Sequence, residues 1–354
     1  LGTYGTLGIP ALENTPGARY WAVSWTEPSG SLWLFGGTGY ATSPTAGNLN
    51  DVWRYDLSTD DWTWMKGASA IGQTGTYGTA GLPAAGNTPG ARSDTVSWTD
   101  ASGRFWLFCG YDGSGYFNDL WMYDPASGNW TWMKGSSLTG QAGTYGTPGT
   151  PAVPNTPGAR RAGVSWCDGS GVLWTFGGYG YDGAGTLGDL NDLWKYDPVL
   201  GDWVWMKGAS TVNSSGTYGA LGESAESNSP GARLNAVSWS DASGNLWLSG
   251  GSGYDGSTGF GQLSDVWKYD PTSGNWTWMK GASTTNQSGT YGTPGTPSVS
   301  NTPGARTAAT SWADGWGTRW LFGGQGYAAT GSSGYLNDLW RLTSLAANDT
   351  TPPV

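Results

Sequence analysis

This chain is one sequence unit written five times. The phrase Pro-Gly-Ala-Arg recurs at spacings of 73, 68, 73 and 73 residues, ending at Arg19, Arg92, Arg160, Arg233 and Arg306. Each phrase is followed by Ser-Trp, by a short aromatic run and by Asp-Leu/Val-Trp. The first four units then end in Trp-x-Trp-Met-Lys-Gly. A fixed period of this length indicates a repeat architecture, so equivalent loops of the five units must gather on the same side of the molecule.

Each unit has the pattern of four short strands. In unit two the aromatic and β-branched runs that favour strands are 95–98, 105–108, 120–123 and 130–133. Turn sequences such as Asp-Pro-Ala-Ser-Gly-Asn separate them, and no segment has the apolar spacing of a helix. The unit is therefore predicted to be a four-stranded antiparallel meander, and such meanders repeated around an axis form a β-propeller.

The positions of these residues resemble the Kelch repeat. The shared features are the arginine at the start of strand one, Gly-Gly after strand two, Asn-Asp-x-Trp-x-Tyr-Asp in strand three and tryptophan in strand four. The resemblance covers essentially the whole chain and implies an all-β, five-bladed β-propeller of four-stranded antiparallel blades. The expected blades are 16–67, 89–135, 157–208, 230–281 and 303–343. These repeats are longer than the ~50 residues usual for Kelch, and Kelch rings usually contain six or seven blades.

The last unit departs from the other four. Asp338-Leu339-Trp340-Arg341 runs into Thr343-Ser344-Leu345, so the last blade is expected to lack a fourth strand of its own. Residues 344–354 have the composition of a linker or tail toward a further domain or partner. Either the chain is a piece of a longer protein, or a different strand completes the last blade. An uncovered third strand could accept a strand from another chain.

Composition narrows the function classes. The net charge of −10 disfavours nucleic acid, which requires a basic surface. No apolar run approaches the ~20 residues of a membrane span. The abundance of Gly, Ser and Thr and the scarcity of Lys favour an extracellular or cell-surface protein, which we expect to be bacterial. The chain has no histidine, which removes His-based nucleophile, acid–base and zinc chemistry, and no unique pair of carboxylates stands out, so it is not expected to be an enzyme.

Two sets of long loops share one face of the predicted meander. The four-to-one loops each contain Gly-Thr-Tyr-Gly, whose tyrosine either packs architecturally or binds ligand. The two-to-three loops add tyrosines and acids that suit carbohydrate or peptide. These candidate ligand-binding residues are Tyr40, Tyr111, Asp112, Tyr181, Asp182, Tyr254, Asp255 and Tyr327. Loops of this length, beyond the usual ~4–6 residues, are often functional. No cofactor is expected, although Asp112, Asp182 and Asp255 are weak candidates for Ca²⁺.

Three further residue sets have structural interpretations. The five repeated arginines are expected to form a ring, either paired with Asp51, Asp119, Asp192, Asp265 and Asp338 or binding anions. The tryptophans of the first three strands are expected to pack blade against blade. Cys109 and Cys167 fall at opposite ends of their strands, which predicts two unpaired, mostly buried thiols.

These observations favour a non-catalytic extracellular binding or adhesion module that uses the long-loop face. Its partner would be a glycan or a surface protein. The alternative is a structural subunit of an extracellular filament or sheath, which binds copies of itself through its loops or an open blade edge. A carbohydrate-active enzyme is a third reading, and it would need a unique acid pair or a metal site.

Overall fold

All regular structure in the described residues, 1–314 and 318–342, is β-strand in this computed structural model. Unit one contains β1 (Arg19–Tyr20), β2 (Val23–Thr26), β3 (Leu32–Phe35), β4 (Thr38–Tyr40), β5 (Ala46–Asn48), β6 (Val52–Asp56) and β7 (Asp61–Lys66). Unit two contains β8 (Val96–Thr99), β9 (Phe105–Phe108), β10 (Leu120–Asp124) and β11 (Asn129–Lys134). Unit three contains β12 (Arg160–Arg161), β13 (Val164–Cys167), β14 (Leu173–Tyr181), β15 (Leu187–Asp197) and β16 (Asp202–Lys207).

The last two units repeat this order. The loop before unit four holds β17 (Ser224–Ala225), and the unit contains β18 (Arg233–Leu234), β19 (Val237–Ser240), β20 (Leu246–Ser249), β21 (Ser252–Tyr254), β22 (Phe260–Gln262), β23 (Val266–Asp270) and β24 (Asn275–Lys280). Unit five contains β25 (Arg306–Thr307), β26 (Thr310–Ala313), β27 (Arg319–Phe322), β28 (Gln325–Tyr327), β29 (Ser333–Tyr335) and β30 (Leu339–Leu342). No helix long and apolar enough to cross a membrane occurs among the described residues.

Each of the first four units forms one antiparallel main sheet in meander order. The orders are β2-β3-β6-β7, β8-β9-β10-β11, β13-β14-β15-β16 and β19-β20-β23-β24. In unit five the described strands form a three-stranded sheet, β26-β27-β30. These sheets bear out the all-β prediction and are consistent with a β-propeller-like fold.

The two-to-three loops are hairpins, which the sequence did not predict. In unit one β4 and β5 pair with each other, and β1 pairs with β4, so the arginine lies in a small separate sheet and not in the first strand of the main sheet. The reason is local backbone conformation. Gly36 and Gly37 have φ of 63° and 88°, and Trp21 has φ of 55°. Left-handed residues at this level bend both strands out of the main sheet.

Aromatic rings fill the space between successive main sheets. Trp25 stacks on Phe105 with centroids 5.1 Å apart, and Phe35 meets Trp130 edge-on at 5.5 Å. Farther along the chain, the Trp98 indole N–H donates to the carbonyl of Trp174 at 3.0 Å. In units one to three the tryptophans of strands one and two therefore pack between units, as predicted, whereas Trp312 of unit five is exposed. The strand-three tryptophans Trp121, Trp194 and Trp267 belong to buried clusters shared with the preceding unit. In unit one, Trp53 packs against Tyr4 of the adjoining four-to-one loop at 4.8 Å.

A chain of backbone hydrogen bonds also links neighbouring units. It runs through the residue two positions after each repeated arginine, and all five of these residues have φ between 52° and 55°: Trp21, Asp94, Ala162, Asn235 and Ala308. From Asp94 onward, the backbone N–H of each of these residues donates to the carbonyl of the equivalent residue in the preceding unit at 2.9–3.2 Å.

The first strands of the units converge on a common space. Those of units two to five line an open cavity of about 260 Å³.

One aspartate per unit fastens the long loops to the main sheet. In unit three Arg160 donates to both Asp192 oxygens at 2.7 Å, and both side chains are fully buried. The Tyr145 hydroxyl and the Trp194 indole N–H also donate to Asp192 at 2.7 Å. The repeated arginines all make the paired contact that the first interpretation expected: Arg19–Asp51, Arg92–Asp119, Arg160–Asp192, Arg233–Asp265 and Arg306–Asp338.

The Gly-Thr-Tyr-Gly tyrosines are consequently architectural. The hydroxyl of each donates to the aspartate of its own unit at 2.6–2.7 Å: Tyr4, Tyr77, Tyr145, Tyr218 and Tyr291. The four-to-one loop then runs beside strand four, where Gly8 N–H donates to the Trp64 carbonyl at 2.8 Å. The long loops therefore have a defined path over the edge of each sheet.

Arg160→Leu should destabilise the chain strongly, because it leaves the buried Asp192 carboxylate without a cation. Breaking a buried ion pair costs about 3–5 kcal/mol. The matched control is Arg54→Leu, because Arg54 is partly exposed and its Nε lies 3.6 Å from the Glu27 carboxylate, a longer contact than that of Arg160 with Asp192. This substitution should cost less than about 1 kcal/mol. Urea unfolding measures both free energies, and equal losses would contradict the assigned role of Asp192.

Both thiols should react slowly in the folded chain. Cys109 and Cys167 are free, and burial raises the pKa of Cys109 to about 12 and that of Cys167 to about 11. Because the thiolate is the reactive form, a thiol-specific chromogenic disulfide at about pH 8 should modify native chain at least about tenfold more slowly than chain in guanidinium. Rapid native reaction of Cys109 would contradict its burial.

Candidate ligand-binding site

Four tyrosines cluster where the loops of units two and three meet. Tyr116 lies at the centre, with ring centroids 5.2 Å from Tyr111, 5.9 Å from Tyr179 and 6.1 Å from Tyr181. All four rings are partly exposed. Burial raises the pKa of Tyr116, so its hydroxyl stays protonated at neutral pH. We call Tyr111, Tyr116, Tyr179 and Tyr181 the tyrosine cluster.

A cation borders the tyrosine cluster. The Arg161 guanidinium carbon lies 5.5 Å from the centre of the Tyr111 ring, within cation–π range. The same guanidinium donates to Asp94 at 2.9 Å. Asp94 belongs to unit two and Arg161 to unit three, so this ion pair fixes the two units relative to each other beside the cluster.

A carboxylate lies on the other side of Tyr179. Arg161 pairs with Tyr179 across β12 and β14, and Tyr179 pairs with Asp189 across β14 and β15. Directly opposed residues project to the same face of a sheet, so these three side chains form a row. The Asp189 carboxylate accepts no hydrogen bond within the described chain. Burial raises its pKa to about 6, and such shifts are typical of functional sites.

The predicted tyrosines divide into two groups. Tyr111 and Tyr181 join the tyrosine cluster through Tyr116. Tyr40, Tyr254 and Tyr327 lie in the corresponding hairpins of units one, four and five, and among the described rings Tyr254 contacts Phe260 at 5.3 Å. Tyr111 is the structural equivalent of Tyr179 and not of Tyr181. It pairs with Ser93, which in unit two takes the place that Arg161, the partner of Tyr179, has in unit three. The shorter unit two therefore offers its tyrosine at another point of the loop.

The three loop aspartates hold turns. Asp182 accepts the N–H groups of Ala184 and Thr186 at 2.9 and 2.8 Å on one oxygen. Asp255 accepts from Ser257 and Thr285; although burial opposes the charged form, these N–H donors lower its pKa. Asp112 accepts hydrogen bonds from the backbone N–H groups of Ser114 and Gly115.

The described residues contain no evident metal site. No group of three or more metal-ligating side chains occurs in residues 1–314 and 318–342, and the weak Ca²⁺ prediction gains no support.

Sequence reasoning missed Tyr116, Tyr179, Arg161, Asp94 and Asp189. A signal was available, because most of these residues occupy positions where the units differ. Arg161 corresponds to Tyr20, Leu234 and Thr307 in other units, and Asp189 corresponds to Asn48. Selecting residues that recur in every unit identifies those with a structural role. It misses a binding site that is formed at one place only, from residues that do not recur.

The arrangement suits binding of a hydroxylated ligand. Tyrosine rings offer flat apolar faces, while their hydroxyls, Arg161 and Asp189 offer donors and acceptors around those faces. A saccharide has both an apolar C–H face and peripheral hydroxyls.

Asp189→Asn should stabilise the chain at neutral pH. Burial disfavours the charged carboxylate and raises its folded pKa above the unfolded value, so stability is lost as pH rises from about 4 to about 6. The variant should therefore raise Tm at about pH 7.5 and change it little at about pH 3.5. Glu13→Gln, at an exposed side chain, should leave Tm unchanged at both pH values. An unchanged Tm for Asp189→Asn at about pH 7.5 would contradict the cost of burying this carboxylate.

Comparison with known proteins supports the fold. No protein-family model and no curated protein sequence matches the chain. Among solved structures, that of YjhT is similar, with a TM-score of 0.57 and 14% identity. The match covers 94% of this chain and 83% of YjhT. At this identity the likeness concerns the fold, and it agrees with the propeller-like arrangement of antiparallel sheets.

Proposed function

We propose that this chain is a non-catalytic extracellular binding module that holds carbohydrate on its long-loop face. The observation that carries the proposal is the tyrosine cluster with its flanking Arg161 and Asp189. A tyrosine side chain loses little conformational entropy on binding while it contributes a large contact area, and aromatic residues dominate the affinity of many recognition surfaces. A bacterial cell surface is the setting we propose for it, with a glycan as the partner.

The proposed scaffold is a Kelch-type β-propeller of five blades, one per sequence unit. Its support is the repetition of one main sheet and one inter-unit packing pattern from unit to unit. Blades packed in this way present their loops on a common rim, where residues from different blades can form one site. The tyrosine cluster combines units two and three in this manner.

Tyr116→Ala should weaken retention of the chain on a glycan ligand at least tenfold, because loss of an aromatic anchor commonly exceeds about 1.4 kcal/mol. The probe is a panel of immobilised bacterial surface polysaccharides, with the dissociation constant measured by biolayer interferometry on the best binder. Tyr335→Ala is the matched control, since Tyr335 is exposed and makes no ring contact with another described residue. Equal affinity of wild type and Tyr116→Ala, or no glycan bound by wild type, would contradict the proposal.

A second candidate function is a structural subunit of an extracellular filament or sheath. The observation that favours it lies in unit five. In units one to four, strand four lies between strand three and the four-to-one loop; β17, for example, pairs with β24. The described part of unit five has no strand beside β30 on that side, and Tyr291 of the adjoining loop is exposed. Open strand edges and uncovered faces are the usual means of assembly.

A further inference from the structure

One carboxylate beside the tyrosine cluster has no partner in the described chain. Side chains alternate between the two faces of a strand, and Arg160 points inward to Asp192, so Arg161 and the residues in register with it face outward. Those residues are Tyr179 and Asp189. Asp189 is only 4% exposed, and its carboxylate accepts no hydrogen bond among the described residues.

The equivalent residue of unit one has a structural role that Asp189 has lost. Asn48 opposes Thr38 just as Asp189 opposes Tyr179. The Thr38 hydroxyl donates to Asn48 at 2.6 Å, and the Asn48 amide donates to the carbonyl of Tyr111 in unit two at 3.0 Å. An ionised carboxylate has no hydrogen to donate, and a tyrosine replaces the threonine. Unit three therefore retains neither bond at this position and carries a charge instead.

The Asp189 carboxylate is still accessible to a ligand. The unpartnered side-chain atoms of the described chain that are sealed from solvent do not include its oxygens. Polar groups buried to this extent normally have hydrogen-bond partners, and leaving one without a donor costs free energy. A donor on a bound molecule would offset that cost, at a point next to the tyrosine cluster.

The charges around the tyrosine cluster favour a cationic donor. The Arg161 guanidinium already donates to Asp94 at 2.9 Å. Burial is the single cause of the raised pKa of Asp189, so no cation of the described chain compensates this carboxylate. A charged donor forms a hydrogen bond roughly twice as strong as a neutral hydroxyl does. The tyrosine faces also attract cations, as the contact of Arg161 with Tyr111 illustrates.

We infer that the tyrosine cluster binds a glycan with free amino groups, whose ammonium donates to Asp189 while the sugar ring lies on the tyrosines. The inference rests on the proposed carbohydrate-binding function and names its ligand class. An N-acetylated sugar would bring only a neutral amide to the carboxylate. An acidic sugar would bring a like charge, which repels it.

Biolayer interferometry with the full chain tests this inference on two immobilised probes. One is a glucosamine oligosaccharide, and the other is the same oligosaccharide after complete N-acetylation. At neutral pH, wild type should bind the amino form at least about tenfold more tightly, as expected for a charge-assisted hydrogen bond. Asp189→Asn keeps the shape of the side chain and removes its charge, so it should bind both forms alike. Its Tm, measured alongside, shows that the variant is folded.

Glu13→Gln is the matched control, because it removes one negative charge at an exposed side chain outside the cluster. It should keep the wild-type preference for the amino form. Loss of the preference in this variant would overturn the inference, since general attraction to an acidic chain would then explain it.

Two further outcomes separate the inference from the proposed function. Equal affinity of wild type for both forms, or an undiminished preference in Asp189→Asn, would overturn the inference. If that binding is still weakened by Tyr116→Ala, carbohydrate binding at the cluster stands. Wild type that binds neither form would also overturn the inference, and the polysaccharide panel then decides the proposed function by itself.

Discussion

The anchoring of the long loops depends on one carboxylate in each unit, and this carboxylate is buried in units one to four. In unit three, Asp192 gathers the Arg160 guanidinium, the Tyr145 hydroxyl and the Trp194 indole. These donors come from β12, the four-to-one loop and β15, so one carboxylate joins three separate segments of the chain. Charge alone would not justify burying the pair, since desolvation opposes it. The near-complete set of hydrogen-bond donors is what makes the arrangement favourable.

The sequence predicted this framework well because the framework repeats. Gly-Thr-Tyr-Gly, Pro-Gly-Ala-Arg and Asp-Leu/Val-Trp recur with nearly constant spacing, and residues needed in every unit reveal themselves by recurrence. The main strands follow from aromatic and β-branched runs between turns. The hairpins of the two-to-three loops were missed, because strands such as β4 and β5 have three residues each, rich in glycine. Their stability comes from pairing with β1, a contact that local sequence does not encode.

The candidate site was only half predicted for the opposite reason. Tyr111 and Tyr181 were identified as loop tyrosines, but their association required Tyr116, which extends from the same loop as Tyr111. Asp189 could not be identified from the sequence because its significance lies in the strand register. It opposes Tyr179, which is ten residues earlier in the chain, across the β14–β15 ladder. Repetition identifies the scaffold, whereas a site assembled once from non-repeated residues becomes evident only in three dimensions.

The backbone links through Trp21, Asp94, Ala162, Asn235 and Ala308 have an evolutionary consequence. The left-handed conformation and the main-chain hydrogen bond are common to all five positions, while the side chains are unrelated. Joining one unit to the next therefore requires no particular residue at this point. Duplication or deletion of a whole gene segment encoding one unit would preserve every remaining junction. Such a chain can change its number of units in a single genetic event and diversify its loops afterwards.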